Sequence, residues 1–519
     1  MRVMKVLAGI SVVGFLVPAI SFGCIEPENN CLRARDCPPP GAGATGMGAG
    51  GSDAGTSPMC IPSQAEGAVD DKCGIFVSAS VGNDSNAGTK GSPVKTIGHA
   101  ILEANGTDRP IYVCNESFNE VVEAPAGMEL YGGLDCANGW TWSDAGRTTL
   151  TASPDSVPLK LTSGTALTRI ENFAVTAADA MQSGGSSIAA IIDNVTAEIS
   201  FCELTAGAAR DGADGQTDIT PAMEGVDGQP GIAACDPMAM ALGGTGGMVT
   251  CDGIMSQGGN GGNGGIPTAD IVGQNGSPGQ PGDVAGGTGQ PDDAGACTIG
   301  QIGADGTPGT VGNGGTEIGS LSISGIAGGN GQNGGTGTPG QGGGGGGGSK
   351  AGTAPGSLFC SGMEGTGASG GGGGSGGCGG KGGAGGQAGG SSIALISLNS
   401  KLTFKQVTLA SGVGGKGGVG AAAQAGAQPG VGGKGGAKAL NPSKPGCAGG
   451  DGGYGGDGGP GGGGRGGHSL GIAFRGTAPP AEGFTIMPST PGNGGVGATM
   501  DPAGAGANGT ASPTPVEFP

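Results

Sequence analysis

Hydrophobic positions along this chain come in short bursts separated by turn residues, and the bursts thin out after residue 205. Gly74-Ile-Phe-Val-Ser78, Ile111-Tyr-Val-Cys114, Val121-Val122 and Met128-Glu-Leu-Tyr131 are β-type runs. Gly, Pro, Asn and Asp bound them, as they bound short strands. Gly82-Asn-Asp84 reads as a turn, and Pro93-Val-Lys-Thr96 leads into a segment with apolar residues at 97, 101 and 102. That spacing predicts a short amphipathic helix over Ile97–Ala104. Both Trp and two of the three Tyr fall between 112 and 142, so a conventional core is expected there.

The same strand pattern returns far along the chain. Residues 186–207 and 391–412 both open with Ser-Ser-Ile-Ala, and a two-residue gap aligns Phe201 with Phe404 and Thr205 with Thr408. A weaker copy runs from Ser469 to Ile472 and on to Phe484-Thr-Ile486. Ile199, Phe201 and Leu204 in one copy, and Leu402, Phe404 and Val407 in the next, are expected to point into a common interior. One such rung cannot bury its apolar face alone, so the copies are expected to stack.

Glycine changes the picture for the rest. Of 130 Gly, 25 lie in residues 1–200 and 105 beyond them, so the later part has too few large side chains for an ordinary core. Collagen is excluded, because Pro is only 34 of 519 residues and no G-X-Y register is sustained. Between the rungs lie two arms, 206–390 and 413–466, with a Gly-Gly-x pattern as in Gly379-Gly-Lys-Gly-Gly-Ala-Gly-Gly386. A period of three suits polyproline-II-like helices that approach closely wherever Cβ is missing; the alternative is disorder. The expected layout is a signal peptide (1–23), a Pro/Gly/Ala-rich tether (24–70) and a capped body (71–205). The arm 206–390, a rung (391–412), the arm 413–466, and a last rung with tail (467–519) follow. As inserts, the arms are expected to tolerate changes such as Gly383→Ser.

Phe76-Val-Ser78, Gly82-Asn-Asp84, Gly88-Thr89, Pro93-Val-Lys-Thr-Ile97 and Ala100 resemble the opening of right-handed parallel β-helix proteins of the pectin-lyase-like superfamily. The resemblance covers about 70 residues and extends to a bacterial domain of unknown function. It implies an all-β fold in which the short helix caps the first coil and blocks edge pairing. Tyr131-Gly-Gly133 and Trp140-Thr-Trp142 resemble the variant in Gram-negative surface lipoproteins. The arms resemble the glycine-rich (PGRS-like) repeats of mycobacterial surface proteins and some polyglycine-II bundles.

Met1-Arg-Val-Met-Lys5 followed by the apolar run Val6–Ile20 matches an export signal too short to span a membrane. Gly23-Cys24 resembles the lipoprotein cleavage box, while Ser21 and Phe22 depart from it. The expectation is export, with lipid on Cys24 anchoring the chain at the outer membrane or cell surface, or plain secretion. The 14 Cys are dispersed, without the paired spacing of a zinc site, and in an exported chain they read as disulfides. Local pairing is expected: Cys114–Cys136 first, then Cys31–Cys37, Cys235–Cys251, Cys297–Cys360 and Cys378–Cys447. Cys202 reads as a buried thiol.

A net charge of −19 disfavours nucleic acid as a partner. Asp211-Gly-Ala-Asp-Gly-Gln-Thr-Asp218 lacks calcium-loop spacing and reads as a turn. Glu171, Asp193, Glu198, Glu203 and Arg169 are scattered, without the stacked carboxylates that polysaccharide cleavage requires. His99 and His468 belong to no visible triad. No catalytic, cofactor or metal residues are therefore assigned. The expected role is a non-enzymatic structural or adhesive protein of the cell envelope. Its partners would be the membrane, extracellular polysaccharide or other surface proteins. The alternative is a carbohydrate-binding or carbohydrate-active β-helix protein.

Overall fold

In a computed structural model, residues 60–519 are described except 66, 108, 144, 237–240, 294, 353–359, 361–364 and 499–501. The export segment, Cys24 and the Cys31–Cys37 pair lie outside the described residues. Contacts divide the chain between Gly55 and Thr56, so every described residue belongs to the second unit.

The chain starts with β1 (Ile75–Val77), α1 (Ile97–Ala104), β2 (Ile111–Cys114), β3 (Ser117–Asn119) and β4 (Val122–Pro125). The order then repeats as β5 (Glu129–Leu134), β6 (Thr148–Thr151) and β7 (Leu159–Thr162). Next come β8 (Leu167–Glu171), β9 (Phe173–Thr176), β10 (Ser187–Asp193), β11 (Thr196–Ser200) and β12 (Glu203–Thr205). Two hairpins interrupt the glycine-rich stretch: β13 (Met248–Cys251) with β14 (Ile254–Gln257), and β15 (Ser320–Ser322) with β16 (Gly325–Ala327). Strands resume as β17 (Ser392–Leu398), β18 (Lys401–Lys405) and β19 (Val407–Ala410). The last are β20 (Ser469–Arg475), β21 (Phe484–Met487), β22 (Ala511–Ser512) and β23 (Val516–Glu517).

These strands build three parallel sheets, which the chain visits in rotation. The first is ordered β1-β2-β5-β8-β11-β18, the second β22-β20-β17-β10-β7-β4 with β23 also on β20, and the third β21-β19-β12-β9-β6-β3. The result is mostly β structure, compatible with a β-helix-like fold. Inward residues stack in columns, such as Ile111, Leu130, Ile170, Ile199 and Phe404 on successive strands of the first sheet. All five belong to one buried apolar cluster. Burying each such side chain contributes about 1.5–3 kcal/mol.

α1 lies at the start of this stack, where Thr96 Oγ1 caps it by accepting from His99 N. Ile97, Ala100, Ile101 and Ala104 face the interior, whereas Leu102, expected on the apolar stripe, is exposed. Residues 60–70 also differ from the tether reading. Val69 is fully buried, and Cys60 is bonded to Cys73.

The repeat pairs without a gap. Ile199 is opposite Phe404, and Glu203 opposite Thr408. Phe201 therefore does not enter the interior. It turns a corner at φ 53°, as do Asn172 (59°) and Gln406 (53°) on neighbouring coils, a left-handed conformation uncommon outside glycine. Gap-based matching aligned the two Phe residues and missed the shared corner.

Strand register continues into the glycine-rich stretches. Ser187 N donates to Ser391 O, Ala206 N to Ala410 O, and Gly212 N to Lys416 O at one constant sequence offset. The same holds from Gly374 N→Gly450 O through Gly389 N→Arg465 O to Ser392 N→His468 O. Glycine backbones thus hydrogen-bond to neighbouring segments every third residue. A Cβ on Gly383 would lie 2.1 Å from Ala421 O, and one on Gly373 2.0 Å from Gly343 O. The expected tolerance of Gly383→Ser is corrected on this ground.

The remaining local disulfide pairs are corrected for the same reason. Cys114 is joined to Cys136, but Cys235 is bonded to Cys360, Cys251 to Cys378, and Cys297 to Cys447. Segments adjacent in the lattice are distant in sequence, so spatial neighbours are not chain neighbours. Each loop of 125–150 residues constrains the unfolded chain by roughly 5 kcal/mol in the chain-entropy treatment. Among the described residues, five disulfides suit an oxidising, exported environment, and no helix is long and apolar enough to cross a membrane.

Two substitutions separate the lattice from the strand core. Gly383→Ser is expected to cost about 1–3 kcal/mol by overpacking, and Phe404→Asp more than about 3 kcal/mol by replacing a core aromatic with a charge. Denaturant midpoints of the oxidised protein check both. A Gly383→Ser midpoint equal to that of the unaltered protein contradicts the close packing.

Candidate functional site

The outward face of the first sheet gathers most of the polar chemistry of the strand region. Two rows run across it. One reads Glu129, Arg169, Glu198 and Thr403 on successive strands, and the other Tyr112, Tyr131, Glu171, Ser200 and Lys405. Glu129–Arg169–Glu198 is invisible to any local motif, because only strand register brings the three together.

Arg169 is the hinge of the first row. Its Nη1 donates to Glu129 Oε1 at 2.5 Å and its Nε to Glu198 Oε2 at 3.2 Å. Burial alone lowers the guanidinium pKa, but the two carboxylates outweigh it and hold the net shift upward. The row thereby holds one cation between two anions, leaving one negative charge in excess.

The second row begins as an aromatic stack. Phe76 lies 5.0 Å from Tyr112, and Tyr112 5.6 Å from Tyr131, with nearly parallel rings, while Trp140 meets Phe76 edge-on. The Cys114–Cys136 bond ties the start of the turn 135–141, which carries Trp140 onto this stack, to the end of β2. Ile61, Val69 and Cys73 pack against the stack, and Tyr112 Oη donates to Cys60 O at 2.6 Å. Burial pushes both tyrosine pKa values up, the negative Glu129 adding to the effect.

Glu171 follows in the same row, 7% exposed. Ser63 Oγ donates to its Oε2 at 3.0 Å, and Oε1 has no hydrogen-bond partner. Burial raises its pKa; the Ser63 contact and the charge of Lys405 oppose the rise. A carboxyl whose pKa is raised by burial, set beside other carboxyls, is an arrangement that acid–base chemistry uses. Here, however, Ser63 closes over the protonatable group.

The other sequence candidates are dispersed. Asp193 ends β10 in the second sheet, and Glu203 lies in the third, 3.4 Å from Arg147. His99 sits on α1, 3.2 Å from Glu103. His468 is buried at the start of β20. Cys202 is the free thiol among the described cysteines, and burial pushes its pKa up to about 12, leaving it inert as a thiolate. The acidic stretch 211–218 is corrected from a turn to an extended lattice segment. Asp211 and Asp214 accept Lys416 N and Val419 N, and Asp218 accepts Thr220 N. Among the described residues no group of three or more His, Cys, Asp or Glu is placed to hold a metal ion.

The raised Glu171 pKa has a signed consequence. The folded state prefers the protonated carboxyl, so ionisation costs stability at pH 7, and the cost disappears as pH falls through the folded pKa. Glu171→Gln is expected to raise stability at pH 7 by about 1 kcal/mol, with no gain at pH 4. Thermal midpoints at the two pH values decide it, and equal gains at both would contradict the burial argument.

Comparison of the chain with family models, with curated proteins and with solved structures returns no match, so the geometry of this face is what any functional reading must use.

Proposed function

We propose that this chain is a structural or adhesive protein of the cell envelope. It would be exported, lipid-anchored through Cys24 and built as a capped right-handed parallel β-helix of the pectin-lyase-like kind. Its glycine-rich arms would form a polyglycine-II-like lattice in register with the coils. The observation that carries this reading is the lattice itself, with hydrogen bonds every third residue and disulfide staples across distant segments. Such a slab is stiff and has little apolar surface to lose on exposure to water. Those properties suit a load-bearing or adhesive surface element whose partners are the membrane, extracellular polysaccharide or other surface proteins.

A second reading, carbohydrate binding or cleavage, is favoured by one observation: Glu129, Glu198 and Glu171 share a sheet face with Arg169. Paired carboxyl groups, one with its pKa raised as burial does for Glu171, are what glycosidic cleavage uses. Glu129 and Glu198 are each ion-paired to Arg169, and Glu171 is covered by Ser63. The structural reading is therefore preferred.

Two measurements test the proposal. Mass spectrometry of the envelope fraction is expected to find Cys24 as a lipid-modified N-terminus, with no peptide spanning an intact Gly23–Cys24 bond. A mature chain starting elsewhere removes the anchor. The purified exported protein, incubated with a panel of polysaccharides, is expected to release no product. Turnover that Glu171→Gln or Arg169→Ala abolishes would replace the structural reading with the enzymatic one.

A further inference from the structure

The outer face of the second sheet is apolar, which is unusual for a face turned away from the main interior. Ile188, Ile191, Ile393, Ile396, Leu398 and Leu470 form a second buried cluster there. Two elements cover them: the hairpin β15–β16, through Leu321 and Ile326, and the chain end, through Val516 and Phe518. The hairpin is not tightly bedded. A cavity of about 460 Å³ lies at its base, lined by residues 317–320, 327–329 and Pro519. Another of about 230 Å³ lies on its other side, between Ile326–Gly328 and Gln387–Gly389.

One side chain ties both covers to the sheet. His468 is 2% exposed at the start of β20. Its Nε2 lies 2.9 Å from Ile318 O, beside the hairpin, and its Nδ1 3.1 Å from Thr510 N, which leads into β22. The ring also meets Phe518 edge-on at 5.5 Å. These partners fix the tautomer. A backbone N–H only donates and a carbonyl only accepts, so Nδ1 must be bare and Nε2 must carry the proton. A second proton on Nδ1 would set N–H against N–H and bury a charge.

We infer that the segment 510–518 is an acid-releasable strap over the apolar outer face of the second sheet, with His468 as its latch. Protonation of Nδ1 breaks the Thr510 bond and frees this segment, uncovering the part of the Ile/Leu cluster under Val516 and Phe518, while Nε2 keeps its donation to Ile318 O and the hairpin stays tied. The charged groups around the latch do not offset the added charge. Arg465, three residues before it, is itself cationic, and Arg475 donates from Nη1 to Leu321 O, a second tie on the hairpin. Glu317 precedes Ile318 at the hairpin base and Glu517 precedes Phe518, and neither is hydrogen-bonded to the ring. Burial, ahead of the Arg465 charge, holds the imidazole pKa below its ordinary value despite the Ile318 contact. The strap is therefore secure at neutral pH, and its stabilisation is lost as pH falls from the ordinary imidazole value to the folded one.

Hydrogen exchange of the intact oxidised protein between pH 7 and pH 4, corrected for intrinsic rates, tests this. Amides of residues 510–518 are expected to open up to roughly tenfold more for each pH unit as pH falls from the imidazole's ordinary pKa to its lower folded value, and to level off below it, as linkage to one proton requires. Lattice amides of residues 371–386 should change less than about twofold. His468→Gln keeps a donor and an acceptor but does not titrate, and should remove the pH dependence. Strap amides that stay protected at pH 4, or lattice amides that open with them, overturn the proposal. So does acid opening that persists unchanged in His468→Gln. If that variant does not fold, the contrast between strap and lattice in the native protein still decides.

Discussion

Backbone hydrogen bonding between segments at a fixed sequence offset governs both halves of this molecule. In the strand region it sets which residues stack, so Ile170 lies over Ile199 and Arg169 beside Glu198. In the glycine-rich region the same offset persists with no strand at all, from Ala206 N→Ala410 O to Gly212 N→Lys416 O. Side chains hold the first region together by filling a shared interior. The second is held by their absence, because a backbone carbonyl occupies the place of most of the missing Cβ atoms. Glycine carries an entropic cost when ordered, and disulfides that constrain the unfolded chain partly offset it.

Some third residues of the Gly-Gly-x units have their own job. Their side chains accept N–H groups of neighbouring lattice segments. Asp227 accepts Val431 N, Asp305 accepts Tyr454 N, Asn263 accepts Gly243 N, and Ser375 accepts Val226 N. These are capping interactions of the kind seen at helix ends. The exposed carboxylates of Asp227 and Asp305 also place charge where another chain could otherwise pair, much as charged residues protect open strands.

Much of the strand region was legible because period-two alternation and turn residues are local signals. Ile75–Val77, Ile111–Cys114 and the helix Ile97–Ala104 follow directly from them. Stacking of 187–193 on 392–398 was legible from the shared Ser-Ser-Ile-Ala opening. What escaped was whatever register alone determines. The Phe201 corner, the Glu129–Arg169–Glu198 row and the Cys251–Cys378 bond each join residues tens to more than a hundred positions apart. Composition showed that the arms lack a conventional core, but it carried no information on which segment lies against which.

Register also accounts for where the acidic charge resides. Asp211, Asp214, Asp227, Asp305, Asp451 and Asp457 each accept a lattice N–H, so their charge is tied to backbone satisfaction. A carboxylate accepts more strongly than a neutral group. Six like-charged captors on flat, hydrogen-bonding surfaces also repel a second copy that could extend the lattice. Part of the excess of 41 acidic over 22 basic residues thus serves the backbone of the glycine lattice. It need not signal a cationic ligand. A lattice using Asn at every such position would satisfy the same N–H groups while losing that repulsion.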